Sequence, residues 1–233
     1  MKLSWWNTSI KQFYSQPHAP PPSQPVVLML HYLVQRHSLT QRLFSRLIQA
    51  KLSDVEYAPP PSIAELDAYN ESTYSSLLYL ALQCTPTQQA SVQADHVASH
   101  VGKAIGLTRL LQSLPAHARE QRCYIPTTIM QQCKVDEDSL YRGEAADGLR
   151  QAVYELASNA KAHIGHARSL CGGLSAGQVG VLLEVVAVER WLDRLEAVNF
   201  DVFDPRLVDI DRHGWEPLKL RWALWNHARK GTF

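Results

Sequence analysis

The chain has 233 residues, 45% of them hydrophobic and 19% charged, with a formal net charge of +1. That length and apolar fraction suit one domain with a sizeable core and exclude wholesale disorder. With 23 Lys and Arg against 22 Asp and Glu, no long-range field draws the chain to nucleic acid, and nucleic-acid binding is not expected.

Helical spacing dominates from the start. Short helices are predicted over 2–14, 25–36 and 40–52, with the proline-rich PHAPPPSQP and APPPS as linkers between the early helices. Longer helices are expected over 62–83, 95–114, 145–170 and 175–198, and a last one over 216–229. In the second of these, Val97, Val101, Ala104, Ile105, Thr108 and Leu111 recur at three- and four-residue steps and so share one stripe. Pro115 is expected to end that helix, because it lacks an N–H and crowds the preceding turn. Ser62 and Thr87 read as N-caps, and the glycines of CGGLSAG break the chain between two long helices.

Alternating apolar residues and Asn-Gly or Asp-Gly turns do not occur between apolar runs, so strands are not expected. The fold class is all-α, a bundle of about eight helices in a single domain over 1–233. The runs SLLYLAL and VGVLLEVVAV fall short of the roughly 20 residues that a membrane span needs, and Glu184 interrupts the second. The opening MKLSWWNTSIKQFYS shows neither a secretory signal core nor the arginines of a mitochondrial transit peptide. Cys84, Cys123, Cys133 and Cys171 are widely spaced and form no close metal-binding or redox pair.

Several residues could carry chemistry. His96 and His100, with Asp95 adjacent, are spaced to share a metal, and His163 and His166 are three apart; in each case a solvated helix face is the plainer use. Asp67 with Glu71 and Asp136 with Asp138 are acidic pairs whose simpler role is to complement helix starts. Gly102 and Gly106 lie one turn apart and suit close helix packing. No phosphate loop or nucleophile elbow is present. From the residues alone, no catalytic group, metal site or cofactor is assigned.

The stretch GLTRLLQSLPAHAREQRCYIP resembles the second signature of the squalene and phytoene synthase family. In that family a Leu-Thr helix leads to an Asp-x-x-x-Asp pair, then basic residues and a Tyr-Leu-Pro. Matching backward from Tyr124, Ile125 and Pro126 places Arg119 and Arg122 on the basic positions, and Ser113 and His117 where the aspartates stand. The resemblance implies that the paired acids hold Mg²⁺ on a diphosphate, a task for which a hydroxyl and an imidazole cannot replace two carboxylates. Arg109, one turn before Ser113, adds an opposing positive charge.

The resemblance also places MKLSWWNTSI after the first acidic motif, so the bundle is expected to lack its first helices and to be N-terminally truncated. AYNESTYSSLLYL is similar to the helix that leaves room for a prenyl chain, with Tyr74, Leu77 and Leu78 expected to fill part of the space.

A narrower similarity is to the family branch represented by mitochondrial complex I assembly factors. It runs through RHSLTQRLFSRLI, YNESTYSSLLYLAL, AVYELASNAKAHIGHARSL, AVNFDVFDPRL and LRWALWNHARK. This branch implies an isoprenoid-synthase-like fold without catalysis, acting early in complex I assembly at the matrix side of the inner mitochondrial membrane. Its implied partners are complex I subunits or assembly intermediates. The alternatives are a Mg-dependent prenyl-diphosphate condensing transferase, or an isoprenoid- or lipid-binding protein in which Arg119, Arg122 and Tyr124 contact the ligand. Peripheral membrane contact through Trp222, Trp225, Arg221, Arg229 and Lys230 is a further expectation, set against the simpler use of those tryptophans in packing the last helix.

Overall fold

Val97, Val101, Ala104, Ile105, Thr108 and Leu111 are all buried along one stripe of a single long helix, as their spacing requires. The computed structural model describes residues 2–55, 58–86, 91–207 and 216–233. These contain twelve α-helices and no strand. The long helix is α6 (Val92–Arg119), and α9 (Asp147–Leu170) is its principal packing partner, with α11 (Glu184–Ala197) against both.

The early helices α1 (Lys2–Ser15), α2 (Pro25–Arg36) and α3 (Gln41–Ser53) follow the predicted spans to within a residue or two. They enclose a smaller core of Ile10, Phe13, Val27, Leu39, Phe44 and Ile48, joined by Leu80. The other core residues form one continuous cluster around α6, α9 and α11.

Four expectations are corrected. The helix over 62–83 is divided into α4 (Ile63–Asn70), a π-helical turn (Glu71–Ser75) and α5 (Ser76–Gln83). The span 175–198 is likewise two helices, α10 (Ala176–Leu182) and α11. Two six-residue helices, α7 (Thr127–Gln132) and α8 (Glu137–Arg142), were too short to show a period in the sequence. Finally, Pro115 does not end α6, which runs on to Arg119. The proline leaves the Leu111 carbonyl without its usual donor, yet Leu114 and Ala118 are buried on either side of it, and this packing outweighs the local cost. The last helix is α12 (Glu216–Lys230).

Helix starts follow local chemistry. Ser62 Oγ accepts from the Glu65 N–H, and Ser175 forms a reciprocal capping box with Gln178. The predicted cap at Thr87 lies outside the described residues; Ser91 caps α6 by accepting from the Ala94 N–H.

The π turn packs tightly on α6. A Cβ at Gly102 would stand 2.5 Å from the backbone nitrogen of Ser75, and one at Gly106 would stand 2.2 Å from Asn70 Oδ1. These glycines let two helices approach at backbone distance.

Glu71, at the start of the π turn, accepts from Ser99 Oγ at 2.6 Å and Tyr79 OH at 2.7 Å, with Lys103 and Arg46 each 3.7 Å away. Burial pushes its pKa up, but the hydrogen bonds from Ser99 and Tyr79 and the Lys103 charge outweigh burial and hold it below the ordinary carboxylate value. A carboxylate with a lowered folded pKa stabilises the fold above its unfolded pKa and loses that contribution as pH falls through the folded one. Glu71→Ala is therefore expected to cost about 2 kcal/mol at neutral pH. The gap from wild type should close in acid below the usual glutamate range, as read from denaturant midpoints at both pH values.

Candidate functional site

One stripe of α6 carries Gly106, Arg109, Leu110, Ser113 and His117, which recur at three- and four-residue steps and so point the same way. They form one wall of a cavity of about 350 Å³. Leu66, Tyr69, Asn70 and Tyr74 of α4 and the π turn also line it, together with Lys51, Ser53, Asp54 and Tyr124.

The structure thus brings together four of the six residues singled out by sequence: Arg109, Ser113, His117 and Tyr124. Arg119 and Arg122 are exposed and are not among the residues lining the cavity. Arg119 follows His117 by two positions, which turns it to the other side of α6. Of the expected cavity fillers, Tyr74 lines the space, Leu78 is buried in the core and Leu77 is exposed.

Each wall residue has a defined environment. Arg109 donates to Glu184 at 2.8 Å and to Gln112 at 3.1 Å, so its charge is shared with α11. Ser113 Oγ donates back to the Leu110 carbonyl at 3.0 Å. The His117 and Tyr124 rings meet edge to face, 4.9 Å between centroids. Burial, followed by the Glu184 and Asp54 charges, raises the Tyr74 pKa against the lowering effect of Arg109.

Sequence reasoning missed the lining residues contributed by α3 and α4. Lys51 Nζ donates to Tyr69 OH at 2.5 Å, and Tyr69 OH donates to Asp54 Oδ2 at 3.0 Å. Burial and the Asp54 charge keep the Tyr69 phenol protonated well past its ordinary range. Lys51 and Asp54, three apart at the end of α3, gave no signal beyond an ordinary surface pair. Asn70 was also missed; it is 1% exposed, and its Nδ2 has no hydrogen-bond partner. A buried amide without a partner is unusual, and this one lies on the cavity wall.

The charged lining residues are Lys51, Arg109 and Asp54. Asp54 is the single carboxylate among the described lining residues, and it is already an acceptor for Tyr69. Such a wall can meet an anion or a polar headgroup with Lys51, Arg109 and the Asn70 amide, and an apolar body with Leu66, Leu110 and the tyrosine rings. Among the described residues it offers no pair of free carboxylates for Mg²⁺.

The chain is 34% identical over 207 residues to rat "NADH dehydrogenase (ubiquinone) complex I, assembly factor 6", covering 89% of this chain and 61% of that protein. The cattle protein of the same name is also 34% identical, over the same shares. The chain therefore spans about three-fifths of the length of these relatives. Among solved structures, a dehydrosqualene synthase in complex with ligand superposes with a TM-score of 0.81 at 15% identity, covering 98% of this chain and 78% of that one. That likeness establishes the isoprenoid-synthase type of helical fold. Residues 1–213 match the squalene/phytoene synthase family model, and this chain belongs to that family.

Proposed function

We propose that this chain is a non-catalytic assembly factor for respiratory complex I, NADH:ubiquinone oxidoreductase, acting as a single domain at an early assembly step. The observation that carries the reading is the α6 wall, which presents Arg109, Ser113 and His117 to the cavity, the latter two at the positions that the sequence resemblance gives to the family's second acidic pair. Without paired carboxylates on that wall, no Mg²⁺ clamp can assist a diphosphate in leaving. The similarity to proteins named complex I assembly factor 6 supports the same role. Its partners are complex I subunits or assembly intermediates, and its place is the matrix side of the inner mitochondrial membrane.

Among the described residues, no helix is long and apolar enough to cross a membrane. A peripheral seat is supported by α12, where Leu218, Trp222 and Trp225 are exposed along one stripe with Arg221 and Arg229 beside them. The simpler expectation, that these tryptophans pack the helix inward, is corrected: Trp222 is 66% and Trp225 56% exposed. Leu224 and Ala223 face the bundle instead.

Removal of the gene tests the proposal. Complex I activity should fall and subcomplexes accumulate, with rescue by the wild-type chain; normal assembly would sink it. The purified chain should show no Mg²⁺-dependent turnover of farnesyl or geranylgeranyl diphosphate, and measurable turnover would restore the transferase reading.

A second reading is favoured by the partnerless Asn70 amide: the cavity holds an isoprenoid or lipid phosphate without converting it. Here Lys51, Arg109 and Tyr124 are the polar contacts, while Arg119 and Arg122 lie outside the lining. Lys51→Ala should weaken binding of a labelled polyprenyl phosphate about tenfold, because a charge-assisted contact contributes about 1.5–3 kcal/mol. Unchanged affinity in that variant would remove the reading.

A further inference from the structure

All 22 acidic residues of the chain lie after position 53, whereas residues 1–53 carry Lys2, Lys11, Arg36, Arg42, Arg46 and Lys51. That span is α1, α2 and α3, which enclose the smaller core. It therefore holds six cations and no acid, and the rest of the chain is net negative. Two of the six turn to the body of the molecule, Arg46 to Glu71 and Lys51 to Tyr69 and Asp54. Lys11, Arg36 and Arg42 are exposed.

The same unit exposes apolar surface. α2 buries Val27 and packs Leu30, Leu33 and Val34 on the smaller core, yet its Val26, Leu28, Met29 and Tyr32 are exposed. A helix on an aqueous surface carries polar residues on its outer face, and one that is apolar on both sides is built to meet a second apolar phase. Trp5 of α1, the helix packed against α2, is exposed as well. Tyr32 joins the two kinds of surface, because Arg36 Nη1 donates to its hydroxyl at 2.9 Å and the apolar ring so ends in a guanidinium.

We propose that α1–α3 dock on an anionic lipid bilayer, with the outer face of α2 at the boundary of headgroups and acyl chains and Lys11, Arg36 and Arg42 on the headgroup phosphates. This rests on the peripheral seat proposed above, and adds to α12 a separate surface and a lipid class. With 12 residues, α2 is about 18 Å long and cannot cross a hydrocarbon core of about 30 Å, so it lies along the surface. Tyrosine and tryptophan, apolar in the ring and polar at the tip, suit that boundary. Other occupants match less of the surface. Nucleic acid would meet the cations but leave Val26, Leu28 and Met29 without an apolar partner. A second copy bound face to face would set cations against cations.

Flotation of the full chain with lipid vesicles tests the proposal. Binding is expected to vesicles that mix phosphatidylcholine with phosphatidylglycerol, and it should fall as salt is added. Equal binding to pure phosphatidylcholine overturns the anionic class. The combined change Lys11→Gln, Arg36→Gln and Arg42→Gln should weaken binding about 100-fold, at about fivefold per charge. Leu28→Ser with Met29→Ser should weaken it at least about tenfold. These five positions are exposed, so the variants should keep the helix content of the wild type by circular dichroism. Trp222→Ser with Trp225→Ser on α12 is the comparison. Binding lost there, with the α1–α3 variants binding as wild type, overturns this proposal and leaves the α12 seat standing. No binding of the folded wild-type chain to the mixed vesicles overturns both, and leaves the basic, apolar face to an acidic protein segment.

Discussion

Gly102→Ala should lower the melting temperature by about 4–12 °C, from a loss of about 2–3 kcal/mol at about 2–4 °C per kcal/mol for a chain of this size. The added methyl would stand 2.5 Å from Ser75 N and 2.6 Å from Ser75 Cα, both backbone atoms of the π turn. Backbone cannot rotate aside as a side chain can, so α6 and the π turn must separate. Ser75 Oγ, which donates to the Ser99 carbonyl at 3.1 Å, would move with it.

Gly165→Ala is the matched control. It lies inside α9 with nothing within 4 Å of an added Cβ, so it should raise stability by about 0.4–1 kcal/mol through helix propensity and a less flexible unfolded chain. Thermal melts of the two variants should move in opposite directions. Equal shifts would mean that the close approach at Gly102 is not what holds that glycine in place.

Leu156→Ala should cost about 2–5 kcal/mol. Leu156 is fully buried on α9 in the main core, where α9 packs against α6. Removing three carbons there loses their transfer free energy and leaves a cavity between two long helices that cannot collapse without bending one of them. Denaturant unfolding should show a lower midpoint with an unchanged slope. A loss under about 1 kcal/mol would show that the α6–α9 seam repacks freely.

These two sites illustrate different kinds of legibility. Leu156 could be assigned to the core from apolar spacing alone, since a 3.6-residue period fixes a face whatever that face meets. The use of Gly102 was readable only as a smooth patch on α6. Its partner, the backbone of Ser75, belongs to a five-residue π turn that is too short to set up a period of its own.

The cavity divides in the same way. Arg109, Ser113, His117 and Tyr124 could be found from one continuous stretch, because helical spacing carries the first three to one stripe and the chain turns back at Tyr124. Lys51, Asp54, Tyr69 and Asn70 come from other segments, and their meeting depends on how α3 and α4 dock on α6. Arg119 and Arg122, adjacent to the motif in sequence, fall outside the lining: Arg119 stands two residues after His117, a step that swings a side chain most of the way round a helix, and Arg122 lies beyond the end of α6.

By itself, the sequence determined the all-α class and the buried stripe of α6, both of which are local or periodic properties. Only the tertiary structure decided that α6 continues through Pro115, that Trp222 and Trp225 face outward, and that His100 meets His163 beside Asp67. Those outcomes turn on contacts between residues up to 96 positions apart. Packing energy between distant helices overrides local propensity there, and it leaves no trace in the spacing of neighbouring residues.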